Sequence, residues 1–383
     1  MNWKLWTLLG TVLTASLSFA ADAGGGHDRS RSFAVHKNGS LEVFLHGGGI
    51  RIIPWDKEEL LVEAEGADED AFNRLKISQK ENTITLDDHS DWDDSWTSEL
   101  TVKVPSQFNL NIQTSEGDIE INGPLNGTLK GSTSAGDIHL GNLGGSIEMT
   151  TSGGDIQSGN IKGQLQLQTS GGDIHVGTVT DKADLFTSGG DLTIEGIGKD
   201  LRGRTSGGDV QIGNVGGDAD VSTAGGNIMV GKVSGNASLN TAGGDIHLSS
   251  ATGRVTVKTA GGNLVLDNIS GSINGRTAGG DIDVQFIPEG KGSSMLSTSV
   301  GNIRLYVPEN ARTTINARVR NRGFWKKHGG DFDIRSDFKA DSYEKGEHGE
   351  DSRATYTLNG GGETITLETM MGSIEIKTLK PKK

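Results

Sequence analysis

The stretch "TSGGDI" occurs at Thr151–Ile156 and again at Thr169–Ile174, and close variants of it return along most of the chain. From Thr133 to Thr277 each variant begins eighteen positions after the previous one, while the first step is one position longer and the last is three positions longer. Such regularity indicates a repeat architecture. The variants share the pattern T-x-x-G-[D/N]-[I/L/V] and begin at Thr114, Thr133, Thr151, Thr169, Thr187, Thr205, Thr223, Thr241, Thr259, Thr277 and Thr298.

Apolar residues recur at fixed places when the threonine is counted as position 1. They occupy position 6 throughout, position 8 in most repeats, and positions 11, 15 and 17, with glycine-containing corners near positions 3–4, 9 and 13. A spacing of two is the strand period, so each unit presents one apolar face that it can bury only by stacking on its neighbours. The pattern predicts an all-β parallel β-solenoid (β-helix) with about 18 residues and two or three short strands per coil. A β-propeller would need about 40 residues per blade.

The repeat divides the chain into segments. We expect a regular solenoid over residues 113–317, preceded by an N-terminal cap with degenerate coils over 41–112. A charged insertion over 318–353 precedes a terminal coil over 354–383. Irregular terminal segments are expected at both ends because an open solenoid end exposes a strand edge that must be capped.

The N-terminus and the composition indicate an exported protein. Lys4 precedes an apolar run from Leu5 to Phe19, and the small residues around Ala20 fit a cleavage site, so residues 1–20 are predicted to be a signal peptide cleaved after Ala20. Residues 21–40 would form a flexible N-terminal segment. We expect a periplasmic, secreted or cell-surface location, with no transmembrane span, because no apolar run reaches the length that a span needs.

Two features of the composition limit the partners. The 383-residue chain has a formal net charge of −14, which disfavours nucleic acid because phosphates need a basic surface. It contains 59 glycines and no cysteine, so neither a disulfide framework nor lipid attachment through cysteine is expected.

The two ends of the repeat region resemble a known family. The opening "GGGIRIIPWDKEELLVEA" at Gly47–Ala64, the "TSGGDI" ladder and the ending "GGGETITLETMMGSIEIK" at Gly360–Lys377 are similar to a bacterial family of β-strand-repeat proteins labelled "putative adhesin". The resemblance covers roughly residues 40–380. It implies an exported or envelope-associated β-solenoid, favours a right-handed winding, and brings no catalytic residues. A period of this length also suits left-handed coils of three strands.

Position 5 carries a column of acidic and amide side chains. We predict that this column forms structural corners, because aspartate and asparagine both accept hydrogen bonds from nearby backbone N–H groups in turns. The alternative is a calcium ladder, but asparagine replaces aspartate twice and the known calcium repeat places its aspartate differently. The predicted corner residues are Asp118, Asp137, Asp155, Asp173, Asp191, Asp209, Asn227, Asp245, Asn263 and Asp281.

Two segments outside the repeat are candidate ligand sites. The segment "DDHSDWDDSW" at Asp87–Trp96 combines carboxylates, which could bind calcium, with tryptophans that could stack on sugar rings. The segment "RNRGFWKKHGGDFDIR" at Arg320–Arg335 is basic and aromatic, which suits an anionic glycan or headgroup. The calcium candidates are Asp87, Asp88, Asp91, Asp93 and Asp94. The ligand candidates are Trp92, Trp96, Arg320, Arg322, Phe324, Trp325, Lys326 and Lys327.

The residues of the repeat give no reason to expect catalysis. Its carboxylates share one environment, whereas acid–base chemistry needs differentiated groups. No catalytic residue, cofactor or metal site beyond the calcium candidates is predicted. We therefore expect an exported, non-enzymatic binding module of the envelope, adhesin-like, with a glycan or protein partner. The alternatives are a self-associating structural rod and a polysaccharide-active β-helix enzyme.

Overall fold

The computed structural model describes residues 29–65, 72–73, 75–88, 98–320, 332–346 and 351–380. These residues form 36 strands that belong to one continuous, mostly parallel sheet, wound into stacked coils. The predicted all-β parallel solenoid is therefore confirmed. The predicted signal peptide over residues 1–20 lies outside the described residues.

The N-terminal strands precede the regular repeat. They are β1 (Arg29–Ala34), β2 (Gly39–Phe44), β3 (Ile50–Trp55), β4 (Glu59–Glu65), β5 (Lys76–Lys80), β6 (Thr83–Asp87) and β7 (Glu99–Pro105).

The middle of the chain supplies the regular coils. Its strands are β8 (Phe108–Gln113), β9 (Ile119–Ile121), β10 (Leu125–Ser132), β11 (Ile138–Leu140), β12 (Leu143–Thr150), β13 (Ile156–Ser158), β14 (Ile161–Lys162), β15 (Leu165–Gln168), β16 (Ile174–Val179), β17 (Ala183–Phe186), β18 (Leu192–Ile197), β19 (Leu201–Arg204), β20 (Val210–Val215), β21 (Ala219–Ser222), β22 (Ile228–Val233), β23 (Ala237–Asn240), β24 (Ile246–Ala251), β25 (Val255–Lys258), β26 (Leu264–Ile269), β27 (Ile273–Thr277) and β28 (Ile282–Phe286).

The C-terminal strands close the other end. They are β29 (Ser294–Val300), β30 (Ile303–Val307), β31 (Thr313–Val319), β32 (Ile334–Ser336), β33 (Ser342–Glu344), β34 (Ser352–Leu358), β35 (Glu363–Met371) and β36 (Ile374–Thr378).

Each regular coil contains two strand regions that pair in parallel, in register, with the same regions of the next coil. In one coil β16 carries positions 6–11 and pairs with β18, while β17 carries positions 15–18 and pairs with β19. Burial alternates along both strands, with Ile174, Val176, Val179 and Leu185 each at most 2% exposed. Leu185 belongs to the second strand region and the other three residues to the first, so both strand regions contribute to one continuous core.

The coils at the two ends do not stack in chain order. The coil of β2 and β3 lies between the coil of β6 and β7 and the coil of β8 and β9. At the other end the last coil in the sequence, β35 and β36, lies between the coil of β29 and β30 and the coil of β31 and β32. Both the first and the last coil of the sequence are thus paired on two sides.

Antiparallel strands cover the outermost coils. At the N-terminal end β5 pairs with β6, and β4 lies between β7 and β1. At the C-terminal end β34 pairs with β31 on one side and β33 on the other. Among the described residues, antiparallel pairing occurs only at these two ends, where parallel stacking stops. Part of the predicted charged insertion therefore consists of strands β32, β33 and the start of β34.

Candidate binding surface

The position-5 side chains form a ladder of hydrogen bonds between coils. Asp155 Oδ1 accepts from the backbone N–H of Asp173, and Asp173 Oδ1 accepts from that of Asp191, at 2.8 and 2.7 Å. The ladder runs from Asp118 to Asn302, with donor–acceptor distances of 2.6–2.9 Å, and then reaches the N–H of Ser373. The acceptor bonds the next coil rather than its own turn. Each side chain thus connects two successive corners.

The asparagines of the column make the same bonds as the aspartates. Asn227 Oδ1 accepts from the N–H of Asp245 at 2.9 Å, and Asn263 Oδ1 accepts from that of Asp281 at 2.8 Å. Because the bond needs one acceptor oxygen and no charge, either side chain can make it. Most position-5 carboxylates of the regular coils are exposed, while Asp137 and Asp281 are half-buried.

The threonine and the second glycine complete the same corner. Thr169 Oγ1 donates to the carbonyl oxygen of Gly154 in the preceding coil at 2.8 Å and accepts from the N–H of Gly172 at 3.3 Å. A Cβ on Gly154 would lie 2.1 Å from the carbonyl oxygen of Gly136, so the backbones at position 4 approach too closely for any side chain. At position 3 a Cβ on Gly153 would meet its nearest atom at 3.6 Å.

The other two corners of the coil carry shorter ladders that the sequence reasoning missed. At position 10, Asn142 Oδ1 accepts from the N–H of Asn160 at 2.8 Å. At position 14, Asp200 Oδ1 accepts from the N–H of Asp218 at 3.1 Å, and Asp218 from that of Asn236 at 2.7 Å. Recurrence of Asp or Asn at these positions from one repeat to the next was the available signal.

A shallow groove of about 630 Å³ runs along the solenoid, parallel to its axis. We call it the axial groove. It extends from Ser146–Glu148 in one coil to Arg254–Thr256 six coils later, and its two rows of outward side chains stand at positions 14 and 16. Two residues of strand separate the rows, so they lie about 7 Å apart. The floor between them is the backbone of position 15, whose side chains point into the core.

Ion pairs run along the rows of the axial groove. In the position-14 row Lys182 Nζ lies 3.1 Å from Asp200 Oδ2. In the position-16 row Arg202 lies between Asp184 and Asp220, at 4.0 and 3.8 Å. The pKa of Asp200 is lowered by the N–H of Asp218 and by the Lys182 ammonium. These charges compensate one another within a row.

A family model described as Toastrack DUF4097 matches the chain twice, over residues 39–215 and 198–377. The chain belongs to this family. The two matches overlap over 198–215, the length of one coil, and each includes one capped end. The resemblance seen at the two ends of the repeat is thereby confirmed.

Several solved structures are similar to this Toastrack chain at low identity. One described as a putative adhesin from Bacteroides fragilis is 13% identical, covering 92% of this chain and 97% of its own, with a TM-score of 0.25. A putative adhesin from Parabacteroides distasonis is 16% identical, covering 64% and 97%, with a TM-score of 0.35. A putative lipid binding protein from the same species is 12% identical, covering 93% and 98%, with a TM-score of 0.23. None of the curated proteins matches the chain.

The acidic candidate segment is described only at its start. Asp88 is buried, and its Oδ1 lies 2.6 Å from Nδ1 of His46 while its Oδ2 accepts from the His46 backbone N–H at 3.1 Å. Asp87 is the last residue of β6. Within the described residues, no group of three or more His, Asp or Glu side chains is placed to hold a metal ion. Asp91, Trp92, Asp93, Asp94 and Trp96 lie outside those residues.

Only the first residue among the basic candidates is described. The backbone N–H of Arg320 donates to the carbonyl oxygen of Thr369 at 2.8 Å, and its Nη2 lies 3.2 Å from Oε2 of Glu368. Arg320 therefore joins the two neighbouring coils of β31 and β35. Arg322, Phe324, Trp325, Lys326 and Lys327 lie outside the described residues.

A second charged cluster occupies the position-7 face near the C-terminal end. Arg304 lies within 3.9 Å of carboxylate oxygens of Asp281, Asp283 and Glu375. Burial raises the pKa of Asp283, which the guanidinium of Arg304 opposes. The cluster joins adjacent coils along the rod and lies on the sheet surface.

In the part of the chain that the structure describes, no helix has the length and apolarity that crossing a membrane requires.

Proposed function

We propose that this Toastrack protein is an exported, non-enzymatic binding module of the cell envelope, with an envelope glycan or protein as its partner. The observation that carries the proposal is the axial groove, which has a volume of about 630 Å³, is open to solvent, spans seven coils and is lined by polar side chains. A surface of this length suits an extended partner better than a small molecule, which needs a cavity that encloses it. Export rests on the predicted signal peptide, with cleavage after Ala20.

The surroundings of the groove carboxylates support a binding role without catalysis. Asp200 has a lowered pKa, and the aspartates of the position-16 row lie beside Arg202. Glycoside hydrolysis requires one carboxyl group that holds a proton near neutral pH beside another that does not. The lowered pKa of Asp200 is the opposite of what a general acid needs, and the other groove carboxylates lie beside cations or accept backbone hydrogen bonds.

We propose a structural role for the position-5 column. The hydrogen bonds between coils support this role, and the unchanged bonds of Asn227 and Asn263 favour it over calcium binding. The column then serves to hold successive coils in register.

The capped ends favour a binding module over a rod that grows by end-to-end stacking. The outermost strand β5 carries Lys76 and Lys80, and the outermost strand β33 spans only Ser342–Glu344. Lysines and short strands are common means of preventing edge strands from pairing with another chain.

Fractionation of cells that carry the full chain with a C-terminal tag tests the proposal. The expected result is a form without residues 1–20 in the periplasmic or surface fraction, which sediments with purified envelopes. A variant without residues 1–20 should stay in the cytoplasm. A full-length cytoplasmic protein, or one that does not sediment with envelopes, would overturn the proposal. Turnover of any envelope polysaccharide by the pure protein would overturn its non-enzymatic part.

A further inference from the structure

The axial groove has the dimensions of a site for a linear polymer. It crosses seven coils, and with parallel strands about 4.8 Å apart its length is roughly 29 Å. It is open along its whole side, and its two rows of side chains stand about 7 Å apart. A chain of sugar rings can lie along such a groove, with successive rings meeting successive coils, because the length of one pyranose unit is close to one coil step.

The chemistry of the two rows favours a partner with little net charge. Three cationic side chains and five carboxylates line the groove, so a polyanion would meet a slightly acidic surface. The pairs of Lys182 with Asp200 and of Arg202 with its two aspartates run along the rows, so they do not bridge the floor. A ligand can therefore enter without breaking them.

Amide and aromatic side chains supply the contacts that a sugar chain uses. Gln164 and Gln166 stand in the two rows of one coil and each offers a donor and an acceptor, which match hydroxyl and acetamido groups. Phe186 lies one coil further, at position 18, two positions beyond Asp184; it stands next to the position-16 row, outside the residues that line the groove, and is 36% exposed. It pairs with Gln168 of the preceding coil. An exposed aromatic ring beside polar side chains can stack on the apolar face of a pyranose.

We infer that the axial groove binds a linear polysaccharide of low charge, rich in hydroxyl and amide groups, laid parallel to the solenoid axis with one ring on Phe186. This inference rests on the proposed function and specifies the ligand class and the site. A lipid surface fits the groove poorly, because Phe186 is the one large exposed apolar side chain beside it among the described residues. An extended peptide is the competing occupant, and the experiment must distinguish it from a polysaccharide.

The test compares two matched triple variants of the full chain. The groove variant carries Gln164→Ala, Gln166→Ala and Phe186→Ala. The control variant carries Gln157→Ala, Gln211→Ala and Met229→Ala, which remove two glutamines and one exposed apolar side chain from the position-7 face of the other strand region. Thermal unfolding of both checks that they fold like the wild type.

The probes are chitohexaose, peptidoglycan glycan strands freed of peptides, and an oligogalacturonate hexamer as the polyanion, with affinities measured by calorimetry. We expect the wild type and the control variant to bind chitohexaose, which is uncharged, and the glycan strands, which carry one carboxylate on every second sugar. The groove variant should bind them about tenfold more weakly or worse, because a stacking contact and several hydrogen bonds are lost. The oligogalacturonate should bind more weakly than chitohexaose.

Three results would overturn the inference while the proposed function stands. In the first, the wild type sediments with envelopes but binds neither glycan probe. In the second, the groove variant and the wild type bind the glycans with equal affinity. In the third, binding to envelopes disappears when the envelopes are treated with protease. The last result identifies a protein or peptide partner. Failure of the wild type to sediment with envelopes at all would instead count against the proposed function.

Discussion

The middle coils of this solenoid stack on one another, whereas the end coils stop the stacking. Between Thr133 and Thr277 each coil stacks on its chain neighbour, and the same side-chain bonds recur from coil to coil. At both ends the coil order departs from the chain order and antiparallel strands appear. Identical stacking extends a rod indefinitely, so stopping it requires strands whose outer edge is unlike their inner edge.

The corner motif shows which positions the middle and the ends have in common. Position 3 varies at the ends, where Glu116, Val300 and Met371 replace glycine, and it already holds Ala135 in the first regular repeat. Position 4 stays glycine throughout, because the backbones of successive coils touch there. The position-4 glycine is thus part of the stacking itself, whereas the position-3 glycine only occupies the outside of the corner.

The largest expected effect is on the position-4 glycine. Gly154→Ala places a Cβ 2.1 Å from a backbone oxygen that cannot move without shifting a coil, so we expect it to lower the free energy of unfolding by about 3 kcal/mol. Gly153→Ala, one position earlier, should change it by less than about 1 kcal/mol in either direction. Urea denaturation of both variants measures the difference. Equal losses would show that the two glycines share one role.

The second effect concerns the exposed edge of strand β5 at the N-terminal end. Replacing Lys76 and Lys80 by valine on β5 removes the charges from a strand that pairs only with β6 among the described strands. We expect association that increases with concentration, because a flat apolar edge can pair with another chain. Lys232→Val with Lys258→Val is the control, since β22 and β25 are paired on both sides. Sedimentation velocity measures both. Monomers at all concentrations in the β5 variant would contradict the role of the lysines.

The smallest effect is a pH dependence at the N-terminal end. The hydrogen bond that the His46 imidazolium donates to Asp88 raises the pKa of His46 above 6.5, so the protonated histidine stabilises the folded state. This contribution is fully present below pH 6.5 and is lost as the pH rises through the raised value. Since the histidine is partly exposed, solvent keeps the effect below about 1 kcal/mol.

Melting curves of the wild type and His46→Gln between pH 6 and pH 8 test this contribution. The wild type should lose more thermal stability than His46→Gln as the pH rises. His175→Gln, on the exposed face of a middle coil, should follow the wild type. If the melting temperatures of the wild type and of His46→Gln changed in parallel with pH, the pair of His46 and Asp88 would not contribute to stability.

The repeat made the middle of the fold predictable, and its absence made the ends unpredictable. Positions 6, 8 and 11 fix the inward face by their spacing, and the structure buries residues such as Ile174 and Val179 accordingly. The exchange of coil order at the ends depends on pairings between distant parts of the chain, such as Leu41 with Ile84, for which no periodic signal exists.

The candidate site was predicted less well than the fold. The column of aspartates stands out in the sequence because it is nearly uniform, while the axial groove is built from residues that vary between coils, most of all at position 16. Gln166, Asp184 and Arg202 occupy equivalent positions yet share no chemical type. They form one surface only because the stacking of the coils places equivalent positions of successive repeats side by side.

The central claim is that the repeated motif builds the rod, so that its carboxylates act as hydrogen-bond acceptors. Thermal unfolding of two triple variants at Asp155, Asp173 and Asp191, with and without Ca²⁺, tests it most directly. Replacement by asparagine keeps the acceptors and should leave stability within about 1 kcal/mol of the wild type, whereas replacement by alanine should cost about 3 kcal/mol, about 1 for each bond. Calcium should change none of the three melting temperatures. A calcium-dependent rise in the wild type that the asparagine variant loses would contradict the claim.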